Sequence, residues 1–132
     1  MVVIADSSGL VALMKNDDST HERAWAAARQ LIHNDAEFIV PSEVFAETIN
    51  ILGKKLSNLA ARRAAHELYK TGFSIVGSDQ GLLLEAADRL ETHKSSTSFV
   101  DSLVMAWADR NDTRIIFGFD VVFGQQGYEL PD

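Results

Sequence analysis

Four carboxylates fall where a layered fold can gather them: Asp6, Glu47, Asp101 and Asp120. Asp6 ends the apolar run VVIA, and Asp120 stands three residues beyond Phe117, the end of another such run. Glu47 lies one helical turn after Glu43, and Asn50 continues that stripe. In FVDSLVMAWADR, residues Val100, Leu103, Val104 and Trp107 share one helical face, and Asp101 sits at its edge. Carboxylates brought together repel unless a proton or cation stands between them. Hard oxygen donors of this kind suit Mg²⁺ or Mn²⁺. Such a cation orients a phosphodiester, acidifies a water and offsets charge on the leaving oxygen, and no histidine is needed. The four histidines, His21, His33, His66 and His93, lack ligand spacing and read as surface or partly buried residues. Each acid also has a plain structural reading. Asp6 and Asp120 can cap helices, Asp101 can be the third residue of a box capped by Ser98, and Glu47 can be a surface acid. Three ordinary caps and a surface acid, however, need not converge on one edge of a sheet.

The elements that must position these acids follow from periodicity. Residues 2–5 form a short β-rich run without alternation, as expected of a strand buried on both faces. SSGLVALMK reads as a short helix and residues 16–20 as a turn. Residues 21–34 are helical, with Trp25, Ala28 and Ile32 predicted to point inward. Phe38 to Val40 is a second strand that Pro41 ends, and Ser42 is a candidate cap for a helix carrying Phe45, Ile49 and Leu52 on its apolar side. Gly53 stops or bends that helix. Another helix fills about 57–71 before Gly72. Phe73 to Val76 is the third strand, a helix covers about 80–92, and residues 93–98 are a loop. After the helix that begins at Phe99, Arg114 to Phe117 is the fourth strand. Residues 118–127 are loop with at most one helical turn, and Tyr128 to Leu130 suit a small edge strand. Strands alternating with helices predict an α/β fold: a three-layer α/β/α arrangement around a mainly parallel sheet of four or five strands. Ligands of such sheets sit beyond the carboxyl ends of the strands.

The 132 residues fit one domain spanning 1–132, and 46% apolar content allows a sizeable core. Cysteine is absent, which excludes disulfides and thiolate metal sites. The N-terminus lacks the pattern of a signal peptide, and no apolar stretch approaches the roughly 20 residues of a membrane helix. The expectation is a soluble, cytoplasmic protein with no membrane partner. A net charge of −7 argues against a general nucleic-acid coat protein. The charge is uneven, however. Residues 54–70 hold Lys54, Lys55, Arg62, Arg63 and Lys70 against the single acid Glu67, a local +4 that leaves −11 for the rest. Lys54, Lys55, Arg62 and Arg63 are candidates for contacts to an RNA backbone; otherwise they only solvate helices.

With these residues in order, the chain resembles the PIN-domain family, most closely the small VapC-type ribonuclease toxins of type II toxin–antitoxin modules. The resemblance covers almost the whole chain. Asp6-Ser7-Ser8 followed by Leu10 to Leu13 resembles the family's first strand and its Asp-Thr/Ser start. Pro41 through Glu47 and Asn50 resemble the helix that supplies the glutamate. Phe99-Val100-Asp101 with Leu103 and Ala106 resembles the helix of the third acid, and Ile115 to Asp120 with Phe123 the last strand and fourth acid. The resemblance implies that Asp6, Glu47, Asp101 and Asp120 are catalytic and bind Mg²⁺ or Mn²⁺, and that Ser7 stands near the metal or phosphate. It also implies hydrolysis of RNA by a metal-activated water, a homodimer and a small antitoxin partner. One departure is Gly118, where the family carries Thr or Ser two residues before the fourth acid.

Other functions are weighed on the same residues. An aspartyl-phosphate enzyme wants a second acid two residues after the first, where Ser8 stands. A phospho-accepting receiver domain can use Asp79 as its central acid, but it lacks the acid pair at Asp6 and a lysine after the last strand. A non-enzymatic alternative keeps the acids in a catalytically weak PIN-like protein that mainly binds protein or RNA.

Overall fold

The structure is a computed structural model and describes residues 1–91 and 97–130. His93 and most of the predicted loop over 93–98 lie outside the described residues. In chain order the elements are β1 (Val2–Ala5), α1 (Ser7–Met14), α2 (His21–His33), β2 (Glu37–Pro41), α3 (Ser42–Lys55) and α4 (Asn58–Lys70). They continue as β3 (Ser74–Val76), α5 (Gln80–Asp88) with a 3₁₀ turn over Arg89–Glu91, α6 (Phe99–Arg110), β4 (Ile116–Phe117) and α7 (Val121–Gln125). The four strands form one parallel sheet in the order β3-β2-β1-β4. The predicted α/β/α architecture holds, and the fifth segment reduces to a single parallel bridge between Glu129 and Ile115. β4 is shorter than the predicted 114–117, because only Ile116 and Phe117 pair with β1.

The chain lays β2 and then β3 on one side of β1 before β4 returns to the other side. The strand order therefore reverses between β1 and β4, and a crevice opens there beyond their carboxyl ends. Val3, Ile4 and Ala5 are fully buried on both faces, which explains the run without alternation. The main core joins these residues to Leu10, Phe38, Val40, Leu82, Leu103, Met105, Phe117 and Phe123. A smaller cluster of Val11, Leu52, Ala61 and Ala64 fastens α1, α3 and α4 together.

Helix α1 lies so close to β4 that a Cβ on Gly9 would come within 2.3 Å of the Phe117 carbonyl oxygen. Only glycine admits this approach, and the approach brings the start of α1 beside the end of β4. Helix α3 runs through Gly53 to Lys55, so that glycine neither stops it nor replaces a cap. α4 ends before Gly72, whose φ of +91° matches the predicted stop.

Two predicted helix faces and one predicted cap need correction. Trp25 is 42% and Ile32 55% exposed, whereas Ala24 and Ala28 are buried. The inward stripe of α2 is built from small side chains that allow close packing, and Trp25 instead meets His21 edge-on and Arg29 through its ring face. In α3 the buried stripe is Val44, Thr48 and Leu52, rotated from the predicted Phe45 and Ile49, which are only partly buried. Thr48 fits this face because its hydroxyl donates to the Val44 carbonyl at 2.7 Å. Ser42 is not the cap of α3. Pro41 occupies that position, and the Ser42 hydroxyl donates to Glu43.

Candidate active site

All four predicted acids reach one cavity of about 530 Å³ at the carboxyl edge of the sheet, lined by Asp6, Ser7, Glu47, Asp101, Phe119, Asp120 and their neighbours. Asp6 follows β1 directly, and its backbone N–H donates to the Phe117 carbonyl at 3.0 Å, which extends the pairing of β1 with β4. Its carboxylate caps α1, accepting from the Ser8 N–H at 3.2 Å and the Ser8 hydroxyl at 2.7 Å. Glu47 projects from α3 and accepts from the Ser7 hydroxyl. Asp101 and Ser98 form a reciprocal capping box at the start of α6, with both bonds at 3.1 Å. Asp120 caps α7 through the Val122 N–H at 3.1 Å. The plain readings of Asp6, Asp101 and Asp120 as caps are thus correct, and the caps nevertheless converge. The reason is positional. Asp6 and Asp120, which stand between a parallel strand and the helix after it, lie at the carboxyl edge, where both a cap and a ligand site form.

The electrostatics reflect this crowding. Burial pushes the Asp6 carboxyl up to about 6; hydrogen bonds from Ser8 oppose the shift, and the charges of Asp101 and Glu47 add to it. Burial also raises the Asp101 carboxyl, with Ser98 opposing and the charges of Asp120 and Glu47 reinforcing. The site is therefore short of positive charge. Among the described residues, no group of three His, Cys, Asp or Glu side chains is arranged to hold a metal ion, and each of the four acids accepts a hydrogen bond from a serine hydroxyl or a backbone N–H. The donor set itself is all carboxylate oxygen, the chemistry that hard divalent cations prefer.

The basic segment divides. Lys55 lines the acid cavity, while Arg62 and Arg63 line a separate groove on α4 with Leu59, His66 and Lys70. Lys54 is exposed in the last turn of α3. Asp79, the candidate central acid of a receiver domain, instead caps α5 and pairs with Arg110 at 2.8 Å.

Sequence reasoning missed the part played by Ser8 and left Gly118 only as a departure from the family pattern. The Ser8 hydroxyl donates to Asp6 and accepts from the Phe119 N–H at 2.9 Å, so it ties the first acid to the loop of the fourth. Gly118 sits against this pair: a Cβ there would lie 2.9 Å from the Asp6 Cβ and 3.1 Å from the Ser8 hydroxyl. The Ser8 hydroxyl thus occupies the space directly beside residue 118. The repeated Ser-Ser after Asp6 together with the glycine was the available signal, but the pairing spans 111 residues.

The sequence profile of the PIN domain matches residues 3–126. The chain belongs to the PIN-domain family. No curated protein matches the chain by sequence. Among solved structures, the chain is similar to VapC20 of Mycobacterium tuberculosis, described as a toxin that cleaves the sarcin–ricin loop. The TM-score is 0.84 at 22% identity, and the match covers 98% of this chain and 97% of that one. The PIN fold is thereby established on two independent grounds, sequence profile and backbone shape.

Proposed function

We propose that this PIN domain, residues 1–132, is a divalent-metal-dependent endoribonuclease, the toxin of a toxin–antitoxin pair. The observation that carries the reading is the single cavity lined by Asp6, Glu47, Asp101 and Asp120 from four separate elements. Family membership and the likeness to an RNA-cleaving toxin support the same reading. The four acids would hold Mg²⁺ or Mn²⁺. When bound, such a cation supplies phosphate-charge neutralisation and a water acidic enough to attack at neutral pH. Ser7 holds the Glu47 carboxylate in orientation, and Ser8 does the same for Asp6. Lys55, on the rim, offers positive charge to a phosphate of the substrate. Hydrolysis by water leaves a 5′-phosphate and a 3′-hydroxyl.

The test is cleavage of total RNA in Mg²⁺ or Mn²⁺ against EDTA, with divalent binding followed by calorimetry. Cleavage should vanish in EDTA and in Asp6→Asn and Asp101→Asn, and both variants should bind metal much more weakly. Unchanged metal binding in both, or 2′,3′-cyclic phosphate ends that still depend on Asp6, would overturn the mechanism. A second reading, a weak PIN-like protein that mainly binds protein or RNA, draws on the separation of the four carboxylates onto individual donors. Metal-dependent cleavage lost in Asp6→Asn decides against it. The family resemblance further supports a homodimer and a small antitoxin that covers the site.

A further inference from the structure

Two of the four acids are placed by the sheet and two by helices. Asp6 and Asp120 follow β1 and β4, which are paired strands, and the bond from the Asp6 N–H to the Phe117 carbonyl at 3.0 Å fastens Asp6 to the end of β4. Glu47 stands on α3 and Asp101 on α6. Their separation depends on how those helices are held, because packed helices can slide in small shear steps. One polar chain links the two. Trp107, on α6, donates its indole N–H to the Ser78 hydroxyl at 2.9 Å. Ser78, between β3 and α5, donates in turn to a carboxylate oxygen of Glu43 at 2.7 Å. Glu43 lies one turn before Glu47 on α3, and the same oxygen accepts from the Ser42 hydroxyl at 3.0 Å. The donors run in one direction, from indole through hydroxyl to carboxylate, so each bond polarises the next. Trp107 is buried in the main core, which anchors its end of the chain by packing. Glu43, Ser78 and Trp107 do not line the carboxylate cavity. What they do for the site they do through the backbones of α3 and α6.

We propose that Glu43, Ser78 and Trp107 are positioning residues that set the distance between Glu47 and Asp101 across the cavity. The proposal rests on the reading above, in which the four acids hold a divalent cation. A small hard cation such as Mg²⁺ demands near-ideal geometry, with its oxygen ligands about 2.1 Å away, whereas Ca²⁺ accepts longer and more irregular contacts. A looser link between α3 and α6 therefore penalises Mg²⁺ more than Ca²⁺. That difference separates positioning from a general loss of stability, which would not select between the two cations.

The test is titration calorimetry of Mg²⁺ and of Ca²⁺ into the full chain, without RNA. Ser78→Ala cuts both bonds with no change of charge. It should weaken Mg²⁺ binding by at least about threefold, short of the roughly tenfold that loss of a direct partner of a metal ligand costs, and Ca²⁺ binding by less. Trp107→Phe cuts one bond, keeps an aromatic ring in the core and should act in the same sense. Ser78→Thr keeps the hydroxyl and should retain the wild-type affinity. Tyr128→Phe is the control. It removes the bond from the Tyr128 hydroxyl to Asp109, 2.7 Å long and near the other end of α6. It should lower the melting temperature and leave Mg²⁺ affinity unchanged. Mg²⁺ binding by Ser78→Ala and Trp107→Phe equal to the wild type, or weakened as much in Tyr128→Phe, would overturn the positioning role alone. A wild-type protein that binds neither cation overturns the metal reading together with it.

Discussion

Asp6 carries the sharpest consequence at the scale of one residue. It is 3% exposed, and burial lifts its carboxyl from the ordinary 3.8 to about 6. In the metal-free protein the folded state therefore holds a proton that the unfolded chain has released between those values. The stabilisation is complete below about pH 4 and is lost as pH rises through the folded value. The difference amounts to about 3 kcal/mol. In EDTA, Asp6→Asn should match the wild type near pH 4 and exceed it in stability by pH 7. Urea unfolding of both proteins across that range measures the gap, and a gap that does not widen with pH contradicts the burial argument. Added Mg²⁺ should close it from the other side by stabilising only the wild type.

At the scale of elements, the site depends on how closely α1 approaches β4. Gly9→Ala would drive a Cβ into the Phe117 carbonyl, which belongs to backbone and has no rotamer to yield. The cost should be at least about 2 kcal/mol despite the better helix propensity of alanine. Gly81→Ala in α5 is the control. Its new Cβ would meet nothing nearer than 3.4 Å, and it should gain up to about 1 kcal/mol. Chemical denaturation of the two variants separates close approach from propensity, and equal effects would deny Gly9 its packing role. The same elements show why helix faces were partly misread. Period alone allows Ala28 to be joined on the inward face by Trp25 and Ile32 or by Ala24. The short distance available between α2 and its neighbours selects the alanines.

For the whole molecule, charge and assembly set how a substrate is reached. On the proposed ribonuclease function an acidic protein must receive a polyanion, and its basic segment is split between two surfaces. Lys55→Gln should weaken binding of even a short RNA and reduce the salt slope by about 0.7. Arg62→Gln with Arg63→Gln should affect only RNAs long enough to leave the acid cavity and reach α4. Salt titrations with a short oligomer and a longer transcript decide this, and identical responses to both variant sets would show that the two surfaces act as one. Assembly rests on exposed apolar groups. Of the apolar residues in 21–70 that offer a dimer contact, Leu56 and Leu59 are 46% and 54% exposed. Trp25 is also open, Leu31 is partly buried, and Leu68 belongs wholly to the core. Light scattering at micromolar concentration should give a mass near twice 14.5 kDa; a mass of one chain rejects the dimer.

By itself the sequence determined the alternation of strands and helices and the parallel sheet, and it singled out the four acids that the structure brings to one cavity. Those features are local: a buried run, a terminating Asp or a capping box is written in a few consecutive residues, and in a parallel α/β fold such boundaries lie at the functional edge. Tertiary structure alone decided the rest. Placing β4 beside β1, so that Asp6 and Asp120 share a cavity, is set by a sheet order that no local pattern encodes. The bond from the Phe119 N–H to Ser8, the seat of Gly118 against Asp6, and Arg23 over the Phe119 ring each join segments far apart in the chain. Such contacts depend on the distance between packed layers, and that distance is settled only when the whole core closes.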